Sequence, residues 1–211
     1  MKELSLFQTQ TLLRRFPNFE LSYETISHKK VSEQYNLCVA IPNGKKYFVW
    51  FTFHKDKDVC YLMDLNKEKK ITKVSVVNYK FDSSLSLGTI VYGILSEDQK
   101  YFFIEDMFLY KGISLSKLPF GERLGYIYNF LSEYIYSPFY QNNEEYIYAN
   151  DFIFTMPIMW HKTYDENDTI ENDSKMHDKF SNAILPSYIT HHLQYRSLQD
   201  RKSTRLNSSH V

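Results

Sequence analysis

Two apolar segments separated by a short polar turn decide the fold: Thr89-Ile-Val-Tyr-Gly-Ile-Leu95 and Tyr101-Phe-Phe-Ile-Glu-Asp-Met-Phe-Leu-Tyr110. Both are rich in β-branched and aromatic residues, which favour strands. The polar run Ser96–Gln99 between them is typical of a hairpin turn. Because the apolar residues form near-continuous runs, we predict strands that are buried on both faces. We call this pair, over Gly88–Tyr110, the central hairpin.

The rest of the chain contains further strand patterns and one strong helix pattern. Strands are predicted over Phe19–Ile26, Tyr47–Phe53, Val59–Leu65, Ile71–Val77, Asp151–Trp160 and Ile189–Leu198. A helix is predicted over Gly121–Ile135, because its apolar residues recur at spacings of three and four. A shorter helix is predicted over Thr9–Arg15, stopped by Pro17. Strands in antiparallel order with a few flanking helices indicate an α+β fold with mostly antiparallel sheets.

The composition limits the partners that the chain can bind. It has 211 residues, 43% of them apolar, which is enough for one domain with a sizeable core. Its 25 basic and 25 acidic residues cancel, whereas proteins that track long nucleic acid usually carry excess positive charge. No apolar run approaches the about 18 residues of a membrane span, and the N-terminus lacks a signal-peptide pattern. We therefore expect an intracellular protein, cytoplasmic or nuclear, that binds neither a membrane nor long double-stranded nucleic acid.

The C-terminal segment differs from the rest of the chain. Asp200–His210 reads as the translation of a common sequencing adapter. We therefore expect residues 200–211 to be a non-native tail and the natural C-terminal part to be missing after Gln199. On this interpretation residues 1–199 form a single domain, and the basic residues of the tail are not a nucleic-acid site.

Three motifs carry a resemblance to known enzymes. Ile41-Pro-Asn-Gly-Lys-Lys46 precedes a predicted strand, and Thr89–Ile94 is the first strand of the central hairpin. Phe102 or Phe103 and Asp106 lie in its second strand, and Gly112 follows that strand. In these motifs the chain resembles the nucleotidyltransferase superfamily of mRNA capping enzymes and DNA ligases, whose corresponding motifs are Lys-x-Asp-Gly-x-Arg, Thr-x-x-Asp-Gly-Glu and a Phe, Asp and Gly. The resemblance covers about residues 36–135. It is closest to the cap-binding domain of snurportin, which carries Pro-x-Gly-Lys-Arg at the first motif and does no catalysis.

The resemblance implies that the framework is present without its chemistry. Ile41 stands at the position of the lysine nucleophile and Ile94 at that of a catalytic glutamate. Isoleucine offers neither an amine to attack phosphorus nor a charge to hold Mg²⁺. We therefore expect a C-terminally truncated nucleotidyltransferase-like fold with no catalytic residues, metal or cofactor. It is expected to bind a nucleotide or a capped RNA 5′ end.

Four residues are the candidate ligand contacts under this interpretation. Lys45 and Lys46 would hold phosphates, and Asp106 would orient the sugar or base. Trp160 would stack on a base, an interaction that contributes about 1–3 kcal/mol. The histidines show no metal-ligand spacing, so no metal site is predicted. The two cysteines also lack such a spacing and are expected to be buried, reduced thiols.

Two alternatives stay open. The same fold could serve as a structural or partner-binding protein without a ligand, and a composition rich in Lys, Asn, Tyr and Ile would suit a viral origin. An active guanylyl- or adenylyltransferase would need a displaced lysine. Lys80-Phe-Asp-Ser83 is the candidate for it, although it lies close to Thr89.

Overall fold

The computed structural model describes residues 1–19, 21, 35–134, 150–161, 188–199 and 206–210. These residues form an α+β fold with two sheets, mostly antiparallel, and two α-helices. The strands are β1 (Lys2–Glu3), β2 (Leu37–Pro42), β3 (Lys45–His54), β4 (Lys57–Leu65), β5 (Ile71–Val77), β6 (Thr89–Leu95), β7 (Tyr101–Tyr110), β8 (Ile113–Ser114), β9 (Ile153–Thr155), β10 (Met159–His161), β11 (Thr190–Arg196) and β12 (Leu206–His210). The α-helices are α1 (Leu6–Leu13) and α2 (Phe120–Tyr134), and a 3₁₀ helix spans Ser83–Leu87.

The strands divide between a larger and a smaller sheet. The larger sheet has eight strands in the order β1-β5-β4-β3-β6-β7-β8, with β9 added to β7 in parallel. The smaller sheet has four strands in the order β10-β2-β11-β12. Because β2 and β3 lie in different sheets, the turn between them carries the chain from one sheet to the other. The first matched motif, residues 41–46, covers the end of β2, this turn and the start of β3.

The central strands of the larger sheet are buried on both faces, which confirms the prediction for the central hairpin. Every residue of β6 is buried. On one face the side chains of Phe51, Val91 and Ile104 pack against Ile127 and Phe130 of α2. On the other face the cluster includes Phe48, Trp50, Tyr61 and Tyr92 of the sheet and Leu12 of α1. The aromatic residues, which make up 17% of the chain, therefore supply much of the core.

The helix predicted at Gly121–Ile135 is confirmed as α2. The first helix begins earlier than predicted because Ser5 caps it. Ser5 Oγ accepts a hydrogen bond from the Gln8 amide at 3.3 Å, and Gln8 Oε1 accepts one from the Ser5 amide at 2.9 Å. This reciprocal pair is a capping box, which satisfies two amide donors at a helix start. No helix of the described ranges is both long enough and apolar enough to cross a membrane.

The prediction of a single strand over Asp151–Trp160 is wrong. The segment forms β9 in the larger sheet and β10 in the smaller one, with a break at Met156–Ile158. Pro157 lies in that break, and it has no amide hydrogen to donate to a ladder. Most of the predicted strand Phe19–Ile26 lies outside the described residues. β12 lies in the segment predicted to be non-native and pairs with β11.

Candidate functional site

The two positions matched to catalytic groups come together between the sheets. Ile41 of β2 and Ile94 of β6 are each 1% exposed and belong to one apolar cluster. The buried members of this cluster, which we call the cleft cluster, are Leu37, Val39, Ile41, Ile94 and Phe120. All five side chains are hydrocarbon, so none can attack phosphorus or bind a metal. Their burial instead excludes water from the place where the chemistry would occur.

Gly44 of the first matched motif has a packing role. Its φ of 148° lies in the region that favours glycine. A Cβ at this position would lie 2.3 Å from the Leu95 carbonyl oxygen and 2.5 Å from Ile94 Cγ2. The absence of a side chain therefore lets the turn approach the central hairpin and brings β2 against it. Gly44 thus allows the close packing of β2 against β6 in the cleft cluster.

Lys46 is paired with a buried carboxylate. Its ammonium group donates a hydrogen bond to Glu105 Oε1 and lies 5.5 Å from the centroid of the Tyr92 ring. The Lys46 side chain is 31% exposed, whereas that of Glu105 is 1% exposed. A buried carboxylate is costly unless it is paired, and Lys46 supplies that partner. Part of the lysine surface is still open to water.

Lys45 points to the opposite face of β3. Its ammonium group donates to Asp64 Oδ2 at 2.7 Å, and its side chain is 57% exposed. The hydrogen bond to Asp64 raises the pKa of Lys45, against a smaller opposing effect of burial. Consecutive side chains of a strand project to opposite faces, and here Lys45 pairs across from Leu95 while Lys46 pairs across from Ile94. The two lysines therefore do not converge on one phosphate position.

Asp106 is held inside the protein by arginine. Its two carboxylate oxygens accept from Arg123 Nε at 2.8 Å and Arg123 Nη2 at 3.2 Å. Oδ1 also accepts from the Met107 amide at 2.9 Å. Arg196 Nη2 lies 3.8 Å from Oδ2, and the Asp106 side chain is only 1% exposed. A ligand would have to displace an arginine to reach this carboxylate.

A β-bulge in the central hairpin places Glu105 beside Asp106. Tyr92 pairs with Asp106 and Gly93 pairs with Ile104, so Glu105 is the extra residue of β7. A bulge of this kind changes the direction of a side chain and often lies near a functional site. Its residues are tied to the rest of the fold by Arg196, whose Nη1 donates to the Glu105 carbonyl oxygen at 2.8 Å.

The residues around the bulge form a network that spans both sheets and α2. It comprises Lys46 and the adjacent acids of β7, together with Arg123 of α2 and Arg196 of β11. The guanidinium carbon of Arg196 also lies 4.0 Å from the centroid of the Phe120 ring, so it packs directly on the cleft cluster. Sequence reasoning missed Glu105, Arg123 and Arg196. Two adjacent acids inside an apolar strand signal that cationic partners are needed, but they do not indicate which ones.

Trp160 lies away from these residues. Met159 of β10 pairs with Val39, and Trp160 pairs with Cys38. Val39 belongs to the cleft cluster, whereas Trp160 and Cys38 belong to a separate cluster on the other face of the smaller sheet. Trp160 is 6% exposed, so little of its ring is available to a base. The structure thus brings Lys46 and Asp106 into one network and leaves Lys45 and Trp160 outside it.

Comparison with known proteins adds no family. Neither the protein-family models nor the curated protein sequences contain a match to this chain.

Proposed function

We propose that the chain is a non-catalytic protein on a nucleotidyltransferase-like fold, with a structural or partner-binding role. The observation that carries this proposal is the burial of Ile41 and Ile94 together in the cleft cluster. Nucleotidyl transfer needs an amine nucleophile and charges that hold Mg²⁺ at the phosphates. Both positions are occupied by buried hydrocarbon, so the reaction has neither its attacking group nor its metal ligand there.

The charged residues next to the cleft cluster support the same proposal. A phosphate bound to Lys46 would compete with Glu105, and a sugar bound to Asp106 would compete with Arg123. Breaking the buried Asp106–Arg123 pair would cost about 3–5 kcal/mol, and the partly exposed Lys46–Glu105 pair would cost less. A penalty of that size weakens binding roughly 100-fold or more. We therefore expect the cleft to bind nucleotides weakly or not at all.

Covalent labelling tests the loss of catalysis. The purified chain is incubated with α-labelled GTP or ATP in the presence of Mg²⁺, and acid-labile label on the protein is measured. We expect none. Label that is lost in Lys80→Ala would show instead that this chain is an active transferase with a displaced lysine.

The second candidate function is binding of a nucleotide or a capped RNA 5′ end without catalysis. It is favoured by the exposure of both lysines at the turn that leads from β2 to β3. Titration with GTP and with a methylated cap analogue, followed by NMR or calorimetry, separates the two candidates. The leading proposal predicts no saturable binding at millimolar ligand.

Matched variants make this titration specific. Lys45→Ala removes an exposed lysine at the turn, and Lys73→Ala removes one of similar exposure on β5. Submillimolar binding that is lost in Lys45→Ala and kept in Lys73→Ala would establish the second candidate and reject the first. If Lys45→Ala and Lys73→Ala bind the ligand with equal affinity, any binding that remains is non-specific attraction to positive charge.

A further inference from the structure

A cavity far from the cleft cluster lies between α1 and the larger sheet. It has a volume of about 340 Å³, which falls in the range of small-molecule sites, about 300–1,000 Å³. Its lining residues are Leu4, Phe7, Gln8, Thr11, Leu12, Arg15, His54, Lys55, Val59, Tyr61 and Val76. None of the residues assigned to the cleft cluster or its charged network is among them.

The body of the cavity is apolar. Leu12 of α1 and Tyr61 of β4 are buried members of the core cluster beneath it. Val59 and Val76 pack against that cluster from β4 and β5. On the rim Phe7 is 77% exposed, next to Leu6 at 73%. Large apolar side chains that are exposed beside a concave apolar surface are typical of a binding site.

The charged residues of the cavity are all basic. Arg15 and Lys55 line it together with His54, and no acidic residue is among the lining residues. Arg15 is held in place, since its Nη2 donates to the Phe53 carbonyl oxygen at 3.1 Å and its guanidinium lies 5.8 Å from the Trp50 ring. Asp56 follows Lys55 in the turn but does not line the cavity. The cavity therefore combines an apolar body with a cationic margin.

We propose that this cavity binds a medium-chain fatty acid. The acyl chain would lie between α1 and the sheet, against Leu12, Val59 and Val76. The carboxylate would lie beside Arg15 and Lys55, where charge-assisted hydrogen bonds are stronger than neutral ones. A neutral or cationic head group would lack this interaction. The proposal does not depend on any role of the cleft cluster.

The chain offers a built-in reporter for this site. Its only tryptophans are Trp50 and Trp160, and Trp50 lies 6.1 Å from the lining residue Tyr61 between ring centroids. In a Trp160→Phe background, the fluorescence of Trp50 follows occupancy of the cavity. The probe is dodecanoate below its critical micelle concentration, compared with dodecanol and dodecyltrimethylammonium.

We expect a saturable change of Trp50 fluorescence with dodecanoate and at least tenfold weaker binding of the cationic amphiphile. Thr11→Phe should abolish binding by filling the cavity from α1. Lys55→Glu should weaken the binding of dodecanoate at least tenfold. It should also reduce the difference in affinity between dodecanoate and the cationic amphiphile. Lys117→Glu, an exposed charge reversal before α2, is the matched control and should change nothing.

Three results would overturn the proposal. The first is no saturable response of the unmodified chain, measured both by fluorescence and by the methyl NMR shifts of Leu12, Val59 and Val76. The second is equal affinity for the three head groups, which would indicate a general apolar surface. The third is unchanged binding in Thr11→Phe and Lys55→Glu variants that circular dichroism shows to be folded.

Discussion

Replacing Asp106 with Asn should destabilise the fold strongly. The carboxylate accepts two hydrogen bonds from Arg123 at 2.8 and 3.2 Å and lies 3.8 Å from Arg196 Nη2, with all three side chains buried. Removing one partner of such a pair leaves buried positive charge without compensation, at a cost of about 3–5 kcal/mol. Because Asn keeps one oxygen acceptor, we expect a value near the lower limit, about 3 kcal/mol. Typical total stabilities are about 5–15 kcal/mol, so the loss would be a large share.

Denaturant unfolding followed by circular dichroism measures this loss as a lower midpoint with an unchanged slope. A double-mutant cycle with Arg123→Gln isolates the ion pair. Residues in direct contact couple by about 0.5–3 kcal/mol, so the double variant should be clearly more stable than the sum of the two losses predicts.

A different outcome would refute the structural role of Asp106. If Asp106→Asn lowered the free energy of unfolding by less than about 1 kcal/mol, the carboxylate would not be needed by the buried arginines. If stability were kept while binding of GTP or a cap analogue fell, Asp106 would be a ligand contact, as the sequence resemblance implies. The two measurements on one variant therefore decide between a role in the fold and a role in binding.

Three further predictions test the packing and the charges. Gly93→Ala should lower the free energy of unfolding, measured with denaturant, by about 3 kcal/mol or more, because the new Cβ would lie 2.0 Å from the Phe103 carbonyl oxygen. Gly125→Ala is the control: nothing lies within 4 Å of its Cβ, so this variant should be as stable as the unmodified chain or more stable. Cys60 is buried, and burial raises the pKa of its thiol, so a thiol reagent at pH 8 should modify it only in molecules that have transiently opened, and the measured rate should rise in destabilised variants. A hydrogen bond from Ser84 lowers the pKa of Asp82 in the folded protein. The ionised Asp82 therefore stabilises the fold above its unfolded pKa of 3.8, and this stabilisation is lost as the pH falls through the lower folded pKa. Asp82→Asn should make the free energy of unfolding depend less on pH in this acid range.

The strands and helices of the larger sheet could be predicted because their patterns are local. The continuous apolar runs of β6 and β7 indicated strands covered on both faces, and both faces are covered. The three-and-four spacing of α2 gave a helix whose apolar stripe lies on that sheet. In each case the period of the side chains is fixed by the element itself.

The division into two sheets could not be predicted in the same way. β2 and β3 are separated by only a short turn, yet they pair in different sheets. β2 pairs with β11, a strand about 150 residues later in the chain. Likewise the partners of Glu105 and Asp106 come from β3, α2 and β11. Pairings between distant segments leave no periodic pattern in the sequence, so the sequence does not predict which cations pair with Glu105 and Asp106.

Under the proposed function, the isoleucines at positions 41 and 94 both remove the catalytic groups and fill the space between the sheets. A lysine at position 41 or a carboxylate at position 94 would carry a charge into the space between the sheets and would need water, a metal or a ligand beside it. Isoleucine at both positions removes that requirement, and each buried isoleucine contributes about 1.5–3 kcal/mol when it leaves water. Glu105 and Asp106 are also buried, and Lys46, Arg123 and Arg196 are their cationic partners. Under the proposed function, such packing gives rigidity where an enzyme needs an open site, so the residues that replace the catalytic groups would also support a structural or partner-binding role.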